Sequence, residues 1–495
     1  MNKQIVRLTY VALVLVGALV VMTTYWQTWA AASLADRQDN AIKRVAEFAI
    51  DRGLIFSFEP RKRLARNVER EVDGKTLFFR RYPYGALAAH VVGYSTVGRS
   101  RTGLERSLND YLTASNQSLS SFVDAALDEL RGKPVEGNDV LTTLDLDAQA
   151  VALEELGTQC GAVVALDPRT GKVRVMASSP SFDPNLAESR FDEISEITAD
   201  CASPSPLVNR ASAGLYVPGS TFKVITASAA LESEKYTPDS TFVDPGYCTV
   251  YGKRVNNFDT TRPFGTISLY EALVHSVNSV FCNIGLELGA KRILDTAKRF
   301  GFYERPPLET PEDERLASGL YRRGSLYYPR RDSDVDAGRM AFGQERLLVT
   351  ALQNAMVAGA IGVGGRLMEP HVVERIVAAD GKVVDRQEAV LIRRAVSQET
   401  ADAVAEMMRS AVERGTGVAA RIPGYSVGGK TGTGETGIPG SNTTWFIAFA
   451  GPDEESPPEV AIAVVLQNQS GTGGTTAAPI ARAVMQAILQ DTENP

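Results

Sequence analysis

The residues best suited to chemistry begin at Pro218-Gly219-Ser220-Thr221-Phe222-Lys223. Pro and Gly set a sharp turn, and Val224, Ile225, Ala227, Ala229, Ala230 and Leu231 suit a buried helix, so a helix is expected over residues 220–231. Ser220 then sits in the first turn, where unpaired N–H groups and the positive end of the helix dipole lie. Lys223 falls on the same face as the Ser220 hydroxyl. A serine is a poor nucleophile until a base takes its proton. A lysine kept neutral by burial and by a second cation can be that base.

Two short motifs follow in order: Ser276-x-Asn278, then Lys430-Thr431-Gly432. Each residue type has a job in acyl transfer. Ser276 can relay a proton between the nucleophile, the lysines and the leaving amine. Asn278 has both a donor and an acceptor for a substrate amide. Lys430 supplies fixed positive charge, which attracts a substrate carboxylate and helps keep Lys223 neutral. Thr431 and Thr433 offer hydroxyls to that carboxylate, and Gly432 lets a substrate backbone approach. The backbone N–H groups of Ser220 and Thr433 can form an oxyanion hole. Singly, each motif has a plain structural reading: Ser276-x-Asn278 as a helix cap, Lys430-Thr431-Gly432 as a strand end with a surface lysine. A second Ser-x-Asn, Ser107-Leu108-Asn109, lies before the nucleophile, in the wrong place. The ordered set, with each member in a suitable context, is what carries the signal.

These elements must be positioned by a scaffold. Residues 161–178 read as a hairpin turning at Asp167-Pro168-Arg169-Thr170-Gly171. Helical patterns cover residues 268–289, 347–360 and 400–414. Strands are expected over residues 426–433, 445–450 and 459–466, and a closing helix over residues 479–489 with Pro479 at its start. Strands from both ends of the region with helices between imply an α+β or α/β fold, a central sheet covered by helices.

The chain has 495 residues, which suggests two or three domains. Its 44% hydrophobic and 22% charged content are those of a folded protein. A net charge of −7 argues against nucleic acid as a partner. His90, His275 and His371 are isolated from any cluster of metal-ligand spacing, so neither a metal nor a cofactor is expected. Cys160, Cys201, Cys248 and Cys282 form no Cys-x-x-Cys pair. Two disulfides are possible outside the cell, with Cys248–Cys282 the favoured pair; four buried thiols are the alternative.

Residues 8–32 carry no charge, and Lys3 and Arg7 precede them. This stretch is long enough to span a bilayer, with the amino terminus inside, the bulk of the chain outside, and Trp26 and Trp29 at the outer interface. A cleaved signal peptide ending near Ala30-Ala31-Ala32 is the competing reading. Residues 33–138 are charge-rich, with a short helix expected over residues 41–51, then short strands, and a linker over residues 132–138. Arg61-Lys62-Arg63 reads as a solvated loop.

The chain resembles a class B penicillin-binding protein, a monofunctional peptidoglycan transpeptidase, most closely the actinobacterial penicillin-binding protein A group. Besides the three motifs, the resemblance includes Arg52-Gly53-x-Ile55, Tyr82-Pro83, Val92-Gly93-Tyr94 and Gly103-Leu104-Glu105. Further on it includes the run from Gly161 to Pro168, Gly343-Gln344, and Trp445-Phe446-Ile447-Ala448-Phe449-Ala450. The Asp-Arg-Asn-Gly that usually follows the Arg-Gly-x-Ile turn is absent. The resemblance implies a serine β-lactamase-like transpeptidase domain over residues 146–495, a mixed non-catalytic pedestal of dimerisation type over residues 30–145, an anchor over residues 8–29 and a cytoplasmic tail over residues 1–7. Ser220 would attack the penultimate D-Ala carbonyl of a stem peptide, release D-Ala and pass the acyl group to an amine of a neighbouring stem peptide. β-Lactams would acylate Ser220, and a separate glycan polymerase would be a partner. A D,D-carboxypeptidase on the same site and a non-catalytic penicillin-binding scaffold or sensor stay open. A β-lactamase needs a deacylation base, and the nearest carboxylate to Ser276-x-Asn278 in sequence is Glu271. Gly437, Pro439, Gly440 and Ser441 form a turn beside the expected cleft, where an acceptor can enter or which is an ordinary hairpin turn.

Overall fold

The computed structural model describes residues 2–25, 47–58, 60–72, 74–115, 136–261, 263–438 and 440–493. Trp26, Trp29, Ala30-Ala31-Ala32, most of the helix expected over residues 41–51, residues 132–135 of the expected linker, and Pro439 lie outside them.

A five-stranded antiparallel sheet organises the larger part of the chain. Its order is Ser426–Ile438, Ser441–Gly451, Val460–Gln469, Gly161–Leu166, Val173–Ser179. The inner strands Val460–Gln469 and Gly161–Leu166 read as almost unbroken apolar runs over their paired lengths because both faces are covered. Side chains alternate strictly between the faces. Val163, Ala165, Phe446, Ala448, Ile462 and Val464 pack against the helices Leu146–Leu156 and Gly473–Glu493. Ala162, Val164, Trp445, Ile447, Ala461 and Ala463 join the opposite core, which includes the helices Lys223–Leu231, Ala351–Gly362 and Gln398–Glu413. A one-residue slip of any strand would exchange the two sets, so two-sided burial fixes the register.

Three expected elements differ in detail. The pattern over residues 268–289 is two helices, Leu269–Val274 and Asn278–Leu288, broken at Ser276, whose φ is +58°. A left-handed residue closes the first helix, with Val277 N–H donating to Ala272 O at 2.9 Å. The closing helix runs Gly473–Glu493 and holds Pro479 inside it rather than at its start. Gly473 and Gly474 are poor helix formers, but a Cβ on Gly473 would lie 2.1 Å from Trp445 O, so close packing selects glycine there. The pattern over residues 347–360 is a short strand, Leu347–Leu348, followed by the helix Ala351–Gly362.

A second, six-stranded mixed sheet has the order Val383–Arg386, Val373–Val377, Asp139–Thr142, Ile55–Phe56, Arg63–Val72, Lys75–Arg81. Two of its strands come from beyond residue 145, so the pedestal is tied to the larger part of the chain through shared hydrogen bonds. Behind this sheet Glu105 is fully buried between Arg80 Nε at 2.6 Å and Arg52 Nε at 2.8 Å. Burial alone would raise the Glu105 carboxyl, but the two guanidiniums outweigh it and hold it below the usual carboxylate range. Both possible disulfides form, Cys160–Cys201 and Cys248–Cys282, and no described cysteine is free.

The helix Asn2–Thr24 stands apart from both sheets. Its stretch Gln4–Thr24 has a mean hydropathy of 2.4 and none of it is buried. Among the described residues it is the one helix long and apolar enough to cross a membrane.

Candidate active site

The turn before Ser220 is made by backbone fit. Gly219 has φ +54°, and a Cβ there would lie 2.5 Å from Thr433 O. Gly219 N–H donates to Gly343 O at 3.0 Å, and a Cβ on Gly343 would lie 1.9 Å from Gly219 O. Trp445 Nε1 donates to Val217 O at 2.9 Å from the neighbouring strand. The backbone carrying Ser220 is therefore pressed between the Gly343 turn and the strand Ser426–Ile438. Residues Gly219–Phe222 form a single 3-10 turn that runs directly into the helix Lys223–Leu231. Ser220 is half-buried and its hydroxyl bonds to no described residue.

Behind Ser220 two lysines meet one serine. Lys223 Nζ donates to Ser276 O at 2.7 Å and to Asn278 Oδ1 at 2.7 Å, and lies 3.3 Å from Ser276 Oγ. Lys430 Nζ donates to Ser276 Oγ at 2.8 Å and to Thr431 O at 3.0 Å. Both side chains are fully buried, and no described carboxylate forms an ion pair with either. Burial, reinforced by the charge of Lys430, pushes Lys223 well below the ordinary lysine range. Burial brings Lys430 down to about 7. The described partners of Lys430 are neutral oxygens, so no carboxylate offsets the cost of its burial.

The break at Ser276 makes this meeting possible. A continuous helix would turn Ser276 and Asn278 to different sides, since residues two apart do not face one another. The left-handed Ser276 ends the first helix and lets the second begin at Asn278. Asn278 Nδ2 donates to Asn256 O at 3.1 Å, which fixes the amide so that its oxygen faces Lys223. Strain of this kind persists where surrounding contacts over-determine it, commonly at functional sites.

A cleft of about 1240 Å³ opens onto these groups. Ser220, Ser276, Asn278, Thr431 and Thr433 all line it. Lys223, Lys430 and Gly432 lie beneath its surface. A Cβ on Gly432 would meet Pro218 O at 2.7 Å, so this glycine serves the fit of strand to turn. Thr431 Oγ1 is held by Thr416 Oγ1 at 2.7 Å. Thr416, Gln344, Arg254, Arg339, Glu435 and Asn442 also line the cleft, and sequence reasoning assigned them no role. They are single polar residues spread over strands, a short helix and loops far apart in sequence, with no local pattern to mark them. Glu271 is not at the cleft: it pairs with Arg414 at 2.6 Å and with His275 at 3.4 Å, and its bonds to Arg414 hold its carboxyl below the usual range. Among the described residues no cluster of side chains could hold a metal ion.

Such a site can acylate a serine: a nucleophile at a helix start, an amine whose proton affinity burial lowers, a hydroxyl bridging to a second amine, and a row of hydroxyls able to meet a carboxylate. Comparison with known proteins agrees with the geometry. The penicillin binding protein transpeptidase domain model matches residues 161–486, and the penicillin binding protein A dimerisation domain model matches residues 52–140. The peptidoglycan D,D-transpeptidase PbpA of Mycobacterium tuberculosis is 34% identical, with 99% of each chain covered. PbpA of Mycolicibacterium smegmatis is 33% identical over 99% of this chain and 100% of the relative. Among solved structures, the ceftriaxone acyl-enzyme complex of penicillin-binding protein A from M. tuberculosis has a TM-score of 0.79 and 32% identity, covering 90% of this chain and all of that one. Its penicillin G acyl-enzyme complex has a TM-score of 0.76 and 32% identity, covering 89% of this chain and 99% of that one. A serine, two lysines and an asparagine gathered under one cleft, on a sheet matched along its length, leave one assignment: the chain belongs to the penicillin-binding protein transpeptidase family.

Proposed function

We propose that this protein is a monofunctional peptidoglycan D,D-transpeptidase that cross-links stem peptides through an acyl-enzyme on Ser220 and is blocked covalently by β-lactams. The observation that carries the reading is the single hydroxyl of Ser276 held by both lysines, directly behind a serine that faces the cleft.

In this reading Ser220 Oγ attacks the penultimate D-Ala carbonyl and Lys223, neutral, takes its proton. The N–H groups of Ser220 and Thr433 receive the oxyanion. The proton travels by Ser276 Oγ to the departing D-Ala amine. Lys430 in its charged form, with the hydroxyls of Thr431 and Thr433, holds the substrate carboxylate, and Gly432 keeps the strand close to the turn. Asn278 orients Lys223 and the substrate amide. An amine of a second stem peptide then attacks the ester and frees Ser220.

The domain assignment follows the same reading: a tail over residues 1–7, an anchor over residues 8–29, a pedestal over residues 30–145 and a catalytic domain over residues 146–495. The apolar helix Asn2–Thr24 supports a single membrane span, and two disulfides support an extracytoplasmic catalytic domain. A separate glycan polymerase supplies the strands to be joined. Incubation of the purified protein with a D-Ala-D-Ala peptide and an amine acceptor tests the reaction. Release of D-Ala with formation of the new amide is expected; release of D-Ala with hydrolysis alone would make the protein a carboxypeptidase.

A further inference from the structure

The cleft carries one carboxylate that nothing occupies. Thr431, Thr433 and Glu435 alternate along the strand Ser426–Ile438, so their side chains share one face, and all three line the cleft. Two residues of strand span about 6.8 Å, which puts Glu435 one peptide step beyond Thr433. Glu435 is exposed and forms no hydrogen bond or ion pair with a described residue. The other carboxylate of the cleft, Asp259, is already engaged by Thr261 N–H at 2.8 Å and its hydroxyl at 2.6 Å. Arg254, on the strand Lys253–Asn256, and Arg339, in the short helix Ala337–Met340, also line the cleft. Two arginines and two carboxylates thus line the cleft, and Glu435 is the carboxylate with no partner among the described residues. A cation entering it is drawn to Glu435 and repelled from the arginines.

We infer that Glu435 binds the acceptor amine as its ammonium and holds it beside the acyl-enzyme. This rests on the transpeptidase reading and names the residue that favours an amine over water. The ammonium gives one proton to solvent, and the free amine attacks the ester carbonyl. The C–N bond forms as the bond to Ser220 Oγ breaks, and the amine's second proton returns to that oxygen. Acylation precedes this and does not need Glu435.

The test uses the full chain in detergent, with Glu435→Gln and Glu435→Ala. An acetylated tripeptide ending in D-Ala-D-Ala is the donor. D-alaninamide, mostly an ammonium at neutral pH, and hydroxylamine, neutral there, are the acceptors. Fluorescent penicillin labelling should stay within about twofold of wild type, since acylation does not use this carboxylate. The ratio of aminolysis to hydrolysis should fall about tenfold with D-alaninamide and hold with hydroxylamine, as loss of one partly screened ion pair requires. Added salt should shrink the wild-type advantage. An equal loss with both acceptors, an unchanged ratio with D-alaninamide, or variants that no longer take penicillin would overturn the inference. Wild-type protein that takes no penicillin would instead sink the transpeptidase reading, and this inference with it.

Discussion

At the scale of residues, the proposed mechanism makes acylation depend on the protonation of two buried lysines. Burial, and after it the charge of Lys430, push Lys223 well below the ordinary lysine range, and burial brings Lys430 down to about 7. The second-order rate of acylation by penicillin should rise with pH as Lys223 loses its proton. It should fall again around pH 7, where Lys430 does. Lys430→Met should remove the falling limb and move the rising one to higher pH, since the repelling charge is gone. Either limb missing in wild type, or a rising limb that stays in place in Lys430→Met, would contradict these roles. Lys223→Ala and Lys430→Ala should each cost about 10³-fold or more in acylation, and the double variant little more, because the groups work as a unit. The stability effect has its own sign. Both lysines bind protons less readily folded than unfolded, so stability should climb as pH rises from about 7 toward the ordinary lysine range. Chemical denaturation of wild type and the double variant across that window checks this. That Ser220, Lys223, Ser276, Asn278 and Lys430 gather at one cleft was legible in the sequence, since chemistry restricts their types and local structure their spacing. The full burial of Lys430 was not, because distant segments create it.

At the scale of elements, the site depends on three close approaches of backbone. Gly343 lies outside the three motifs, yet a Cβ there would stand 1.9 Å from Gly219 O. Gly343→Ala should therefore displace the Ser220 turn and lower acylation about 100-fold or more, as misplacement of about 1 Å does. Acylation kinetics on a folded variant, with circular dichroism as the control, measure it. The Cys248–Cys282 disulfide joins the strand Tyr247–Val250 to the helix that begins at Asn278. It closes a loop with a sequence separation of 34. Cys248→Ser with Cys282→Ser should cost about 3–4 kcal/mol of stability by loop entropy, read as a lowered midpoint in urea. An unchanged midpoint would show that the bond does not constrain the unfolded chain. Apolar periodicity revealed the strands and most helices. It missed the break at Ser276, because the residues around it carry a helical pattern through. It also missed the helix start at Gly473, where packing against Trp445 overrides helix propensity.

At the scale of the molecule, the larger part of the chain and the pedestal share one hydrophobic core and a strand pairing. The strand Val373–Val377 pairs with Asp139–Thr142, an association that sequence order hides because more than 200 residues intervene. Glu105 holds two arginines out of water inside the pedestal. Glu105→Ala should cost about 3–5 kcal/mol, the usual penalty for stranding a buried charge, and calorimetry would show it. The helix Asn2–Thr24 shares no buried surface with the rest, so a chain lacking it should stay soluble and keep its penicillin reactivity. The measurement that bears most directly on the whole account is peptide mapping after labelling with fluorescent penicillin. The label should sit on Ser220 alone and vanish in a folded Ser220→Ala protein. A label on any other residue, or one that survives Ser220→Ala, would contradict it.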